Sequence, residues 1–184
     1  MKRLVVLASG RGSNFKAILD EILAGNINGE IVAVISDHHD AKALEIARDN
    51  GIEAVFGNAA SKEYNDWLIG TVKTYEPDYI ILAGYMRIVP PAFVSAFEGK
   101  IINIHPALLP SFKGLHGQRQ ALEYGVKITG CTVHYVDEGM DTGKIIAQRA
   151  VEVKEGDTEE TLSARILEQE HKVYPAVVKA LCEA

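Results

Sequence analysis

An amide and an imidazole stand two residues apart at the end of an apolar run, in Asn103-Ile104-His105-Pro106. Residues two apart on a strand project to the same face. Asn103 and His105 therefore place an amide donor and a titratable imidazole side by side. Pro106 restrains His105 to an extended backbone. The plainer role for such a histidine is to cap a turn at a strand's end, and spacing alone leaves both roles open. A second segment, Ser9-Gly10-Arg11-Gly12-Ser13-Asn14, separates an apolar run from an amphipathic one. Free backbone N–H groups and the positive end of a helix meet in such a turn, an arrangement that binds anions. Phe15 replaces the third glycine of the dinucleotide fingerprint, and GxxxxGK[ST] is absent. A phosphate monoester therefore suits this turn better than a dinucleotide or a nucleoside triphosphate.

Carboxylates supply the remaining candidates. Asp137, Glu138 and Asp141 lie in the loop Val136-Asp137-Glu138-Gly139-Met140-Asp141-Thr142-Gly143. The loop lacks the calcium-binding DxDxDG pattern. It is either a solvated acidic hairpin loop or the source of one carboxylate that orients a histidine, and spacing does not choose among the three. Glu170 interrupts the apolar stripe Leu162, Ile166, Val173 and Val177 of the last helical segment. An inward carboxylate needs a partner or a wet cleft; a site that receives an amine is one such cleft. Asp37-His38-His39-Asp40 has no recognised metal-ligand spacing and reads as a charged, solvated turn. His116 and His134 are either site neighbours or structural histidines.

These groups need a scaffold. The chain has 184 residues, 47% hydrophobic and 24% charged, which suits one globular domain over residues 1–184. Such a length buries roughly 70% of the surface of the unfolded chain, so the core needs no staples. Cys131 and Cys182 are too few for a disulfide framework and form no CxxC pair. Lys plus Arg number 19 against 25 Asp plus Glu, a net charge of -6 that argues against nucleic acid or an anionic membrane as partner. The apolar run after Met1-Lys2-Arg3 is too short for a signal peptide, and no run approaches a membrane span. A cytoplasmic protein is expected.

Short β-branched runs at 4–8, 31–35, 79–83, 101–104 and 131–136 read as strands buried on both faces. Phe15, Ile18, Leu19, Ile22 and Leu23 follow the helical template; Tyr64, Trp67, Leu68, Thr71 and Tyr75 give another stripe, and Ala43, Leu44 and Ala47 a shorter one. This alternation predicts an α/β fold with a mostly parallel twisted sheet and helices on both faces. Two further strands, 129–136 and 144–153, joined by the acidic loop, predict an antiparallel C-terminal addition. The segment 158–181 reads as helix, opened by a capping box at Asp157-Thr158-Glu159-Glu160 and kinked or broken at Pro175.

Taken together, these segments resemble the folate-dependent phosphoribosylglycinamide formyltransferase family, the GAR transformylases of purine synthesis. The shared motifs, in order, are Ala8-Ser9-Gly10-Arg11-Gly12-Ser13-Asn14, Leu82-Ala83-Gly84-Tyr85-Met86-Arg87 and Ile102-Asn103-Ile104-His105-Pro106-Ala107-Leu108-Leu109-Pro110. Gly114-Leu115-His116, the stretch from His134 to Gly143, and Gln169-Glu170-His171 follow. The resemblance spans essentially the whole chain and implies a Rossmann-like formyltransferase fold. It also implies the substrates 5-phosphoribosyl-glycinamide (GAR) and 10-formyltetrahydrofolate, the latter as co-substrate, with no metal. On that resemblance, Gly12, Ser13 and Asn14 would hold the ribose phosphate and Glu170 would receive the glycinamide amine. Met86, Arg87, Ile88 and Val89 would read the pterin through backbone groups. Asp137, Glu138, Gly139, Met140 and Asp141 would line its other side, and Lys62 would be a basic folate contact. Asn103 would stabilise the oxyanion of the formyl transfer while touching folate. His105 would act as acid, and Asp141 would stabilise its imidazolium and fix its orientation.

The nearest rivals are sister enzymes. Methionyl-tRNA formyltransferases carry a C-terminal RNA-binding extension, and formyltetrahydrofolate hydrolases an N-terminal regulatory domain. A chain that opens on strand one and closes soon after its last helix is expected to have neither. A non-catalytic phosphate-binding α/β module has no need of Asn103, His105 and Asp141. The sequence leaves a homo-oligomer open.

Overall fold

The computed structural model describes residues 1–184. In chain order its elements are β1 (Lys2–Leu7), α1 (Ser13–Leu23), β2 (Gly29–Ser36), α2 (Lys42–Asp49), β3 (Glu53–Phe56), α3 (Tyr64–Thr74) and β4 (Tyr79–Leu82). There follow α4 (Pro91–Ala96), β5 (Ile101–His105), α5 (Gly117–Tyr124), β6 (Ile128–Tyr135), β7 (Ile145–Glu152) and α6 (Glu159–Glu183). One seven-stranded sheet runs in the order β3-β2-β1-β4-β5-β6-β7. The pairs from β3 across to β5 are parallel, and β5–β6 and β6–β7 are antiparallel. The α/β expectation, including the antiparallel addition, is met.

Alternation along each strand divides the core between the two faces of the sheet. Leu4, Val6 and Ala8 pack with Phe15 and Ile18 of α1 and with Ile166, Tyr174 and Val178 of α6. Val5 and Leu7 pack on the opposite face with Leu68 and Val72 of α3 and Phe93 of α4. Every one of these side chains is fully buried or nearly so, which is why the strands read as continuous apolar runs.

Four elements differ from the sequence expectation. Helix α5 buries only Gly117 and Ala121, so it has no apolar stripe to read. Strand β3 is a four-residue edge, and α4 has six residues opened by Pro91 in the first turn, where a missing N–H costs nothing. Pro175 does not break the last helix: α6 runs unbroken to Glu183 with Pro175 buried inside it. Core packing on both sides of Pro175 outweighs the one helical hydrogen bond that proline removes. The capping box forms at Thr158, with Thr161 as its N3 partner.

The sheet order places a switch point between β1 and β4: from β1 the chain winds outward through β2 and β3, and from β4 outward the other way. Ligands of open α/β sheets bind in the crevice that such a reversal leaves at the strands' carboxyl ends. The loop after β1 and the loop after β4 meet at that crevice, and His105 ends the adjacent strand β5.

Candidate active site

The turn after β1 forms one wall. Gly12 adopts φ 69°, a left-handed conformation open to glycine at no cost, and a Cβ there would stand 2.9 Å from the Ala43 Cβ. Helix α1 starts at Ser13, so the N–H groups of its first turn have no helical partner. A cavity of about 280 Å³ lies against this end, lined by residues 9–14, His38, Ala83, Gly84 and Met86. Gly12, Ser13 and Asn14 of the turn after β1 and Met86 of the loop after β4 thus border one space.

Glu170 reaches the same wall from the far end of the chain. Its carboxylate accepts a 2.9 Å hydrogen bond from Asn14 Nδ2 in a buried setting. Burial raises the Glu170 carboxyl above its ordinary value, and the Asn14 bond opposes that rise. The placement is fixed one turn further along α6, where the Tyr174 hydroxyl is shared between Leu82 O at 2.8 Å and Ile102 O at 3.0 Å. Residues i and i+4 share a helix face, so a phenol that ties α6 to β4 and β5 also sets Glu170 against α1. The buried Asn14 Oδ1 has no partner, which leaves an acceptor beside the carboxylate.

Histidine 105 is 5% exposed and faces acceptors on both sides. Its Nε2 lies 2.7 Å from Phe112 O and its Nδ1 3.5 Å from Asp141 Oδ2. A carbonyl accepts and does not donate, so Nε2 carries a hydrogen in this arrangement. The turn-capping role and the pairing with a carboxylate are both realised in one side chain. Asp141 Oδ2 also accepts the Gly114 N–H at 2.8 Å, and Oδ1 stands 3.9 Å from His134 Nε2. Asp141 holds this position at φ 53°, and Phe112 at φ 54°, both left-handed and non-glycine. Such residues persist where the surrounding structure holds them, commonly at functional sites.

The three acids of the loop now separate. Asp137 Oδ1 accepts from Gly139 N at 2.9 Å and Thr142 Oγ1 at 2.6 Å, which closes the loop on itself and lowers the Asp137 carboxyl. Glu138 is exposed. Asp141 alone pairs with His105. Asn103 is half-buried and lies directly opposite His134 on β6. His134 is buried, with its Nδ1 2.9 Å from Tyr135 O and its Nε2 without a hydrogen-bond partner, and burial lowers its pKa.

Met86 (70% exposed), Arg87 and Ile88 (83% exposed) form an open loop across the crevice, and Val89 is half-buried behind them. The loop is tethered by the Met86 N–H, which donates to Ser9 Oγ at 2.8 Å, and by Arg87, whose guanidinium lies 5.5 Å over the Tyr64 ring. Gly139 and Met140 are exposed too, and Met140 Sδ borders Gly114. Lys62 is exposed in the turn before α3, and no hydrogen bond or ion pair joins it to the other site residues. The turn after β2 is not the fully solvated one expected: the Asp37 side chain is 5% exposed, and His38 lines the cavity. Sequence reasoning assigned Ser9 no role of its own within the glycine segment that it opens, and Phe112 went unremarked, its only signal being adjacency to the proline loop.

The formyl transferase family model matches residues 2–178. The phosphoribosylglycinamide formyltransferase of Bacillus subtilis is 45% identical over 185 residues, covering 98% of this chain and 95% of that protein. The chain spans 66% of the length of the chloroplastic phosphoribosylglycinamide formyltransferase of Arabidopsis thaliana, with 42% identity over 99% of its own length. The crystal structure of glycinamide ribonucleotide transformylase 1 from Symbiobacterium toebii is similar over 100% of this chain and 88% of that one, with a TM-score of 0.96 and 48% identity. The family match over residues 2–178 and the near-complete coverage by relatives at about 45% identity show that the chain belongs to the formyl transferase family.

Proposed function

We propose that this chain transfers the formyl group of 10-formyltetrahydrofolate to the amine of 5-phosphoribosyl-glycinamide, a step of purine synthesis. The observation that carries the proposal is the row of three features along the carboxyl ends of neighbouring strands: a helix start that lines a cavity and offers free N–H groups, a buried carboxylate bonded to its Asn14, and a histidine–aspartate pair at the end of β5, next to β4. Gly12, Ser13 and Asn14 bind the phosphate, and Glu170 receives the amine substrate beside them. Met86, Arg87, Ile88 and Val89 take the pterin, opposite Asp137, Glu138, Gly139, Met140 and Asp141. Lys62 offers an ammonium to the acidic end of folate. The substrates are small molecules, and the protein acts in the cytoplasm as one domain, residues 1–184.

The chemistry follows from the groups present. The neutral substrate amine attacks the formyl carbon, and the carbonyl electrons move onto oxygen. The Asn103 amide donates to that oxyanion; removing a contact of this kind typically costs about 2.7–4 kcal/mol. His105 gives up Phe112 O in favour of the substrate, stabilises the same charge and delivers a proton to the departing folate nitrogen. Asp141 balances the imidazolium. The carbon–nitrogen bond to folate breaks as the carbonyl re-forms, the attacking nitrogen returns its extra proton to the now neutral His105, and formyl-GAR and tetrahydrofolate leave. A spectrophotometric assay of folate product, with and without glycinamide ribonucleotide, tests the reading. Product that forms only with the ribonucleotide is expected; product without it would make the chain a hydrolase.

A further inference from the structure

We infer that Ser9 is a positioning residue that couples the two substrate subsites, the Ser9 hydroxyl holding the folate loop at Met86 while facing the phosphate cavity. The inference rests on the assignment of those two subsites above. β1 and β4 pair as far as Leu7 and Leu82, and the contact continues beyond the strands. Ala83 N–H donates to Leu7 O at 2.9 Å, and Ser9 N–H donates to Gly84 O at 3.1 Å. Gly84 then turns the chain at φ 72°, where a Cβ would meet nothing within 4 Å, so the glycine serves conformation and not clearance. That turn brings the Met86 N–H back onto Ser9 Oγ at 2.8 Å.

Ser9 is 6% exposed yet lines the cavity. A hydroxyl has one donor and two acceptor positions. Met86 takes one acceptor position, and no protein group takes the proton. A phosphate or ribose oxygen in the cavity is the acceptor within the chemistry of the site. Donation to that oxygen makes Ser9 Oγ a stronger acceptor for Met86 N–H, since hydrogen bonds in a chain polarise one another. Filling the phosphate subsite therefore fixes the backbone that reads the pterin. By linkage, the folate ligand must tighten the ribonucleotide by the same factor.

Tetrahydrofolate and glycinamide ribonucleotide together lack the formyl group, so both subsites fill without turnover. Calorimetry then measures tetrahydrofolate affinity with and without saturating ribonucleotide. The wild-type protein is expected to bind about 5-fold or more tighter with the ribonucleotide present, and Ser9→Ala to reduce that ratio below about twofold. Ser9→Thr keeps the hydroxyl and is expected to restore the ratio, which a merely structural role would not require. An unchanged ratio in Ser9→Ala, or no coupling in the wild type, overturns the inference. Should Ser9→Ala fail to fold, amide exchange at Met86 in the wild-type protein decides. Ribonucleotide alone should slow that exchange, and exchange indifferent to it overturns the coupling. A wild-type protein that binds neither ligand overturns the assignment of the subsites, a result distinct from binding both without coupling.

Discussion

Asn14 and Glu170 lie 156 residues apart in the chain and share a buried 2.9 Å hydrogen bond. One belongs to the first helix and the other to the last, and the bond joins the glycine turn after β1 to the carboxylate proposed to receive the amine. A carboxylate that is 8% exposed and has no cationic partner is costly to keep ionised. The proposed role, receiving the substrate amine, would offset that cost when the ligand is bound.

Glu170→Gln keeps an acceptor for Asn14 and removes the charge. Loss of a charge-assisted hydrogen bond costs about 1.5–3 kcal/mol, roughly a 10- to 150-fold rise in KM for glycinamide ribonucleotide. The folate KM should barely move. Stability should change in the opposite direction. Burial raises the Glu170 carboxyl in the folded state, so the folded protein binds that proton more tightly than the unfolded chain. Ionised Glu170 therefore costs stability at neutral pH, and the cost fades as pH falls through the raised value toward the ordinary 4.5. The ligand-free variant should melt higher than wild type at pH 7, with the gap closing on acidification. An unchanged ribonucleotide KM would reduce Glu170 to a rim residue.

Much of this was legible in the sequence because the chemistry sits where the periodicity stops. Glu170 was visible as a break in a helical stripe, and Asn103 and His105 as polar residues ending an apolar strand. The rest depended on contacts that spacing does not carry. The choice of Asp141 over Asp137 and Glu138 comes from a loop that folds back on itself through Thr142 and so turns Asp141 inward. Asp37 looked solvated because its neighbours are charged, yet its carboxylate is buried at the end of β2. Helix α5 was missed because what it buries, Gly117 and Ala121, is too small to register as a stripe.

Replacement of His105 by alanine should lower kcat by about 10²–10⁴-fold, the usual contribution of general acid–base catalysis. Both KM values should stay within a few-fold, because the proposed mechanism assigns buried His105 to the transferred group and to none of the groups that bind either substrate. Steady-state kinetics with each substrate varied in turn measures this. A kcat within a few-fold of wild type would leave His105 as the cap of the Phe112 turn and nothing more.

Burial holds two histidines, His134 and His171, below the ordinary value of 6.5. The unfolded chain binds their protons more readily, so stability should fall as pH drops from about 6.5 through the lowered values. This trend runs against that of Glu170. His134→Gln keeps a polar side chain on β6 without a titrating ring. Its melting temperature should depend less on pH just below neutrality than that of wild type. An identical pH dependence in the two proteins would show that His134 does not titrate in this window.

Asp141→Asn keeps the shape of the loop and removes its charge from between His105 and His134. The asparagine oxygen still accepts the Gly114 N–H, so the turn is retained, but the imidazolium loses its counter-charge across the 3.5 Å contact. The chemical step should suffer, with kcat down by at least about tenfold if the lost stabilisation matches one charged hydrogen bond. Asp137→Asn and Glu138→Gln should act differently. Asp137 spends its carboxylate on Gly139 and Thr142, and Glu138 is exposed, so both should change the folate KM more than kcat. Single-turnover rates for the three variants separate chemistry from binding. A chemical step slowed by either neighbour and untouched by Asp141→Asn would transfer the pairing role to that neighbour, and the His105–Asp141 contact would then be structural.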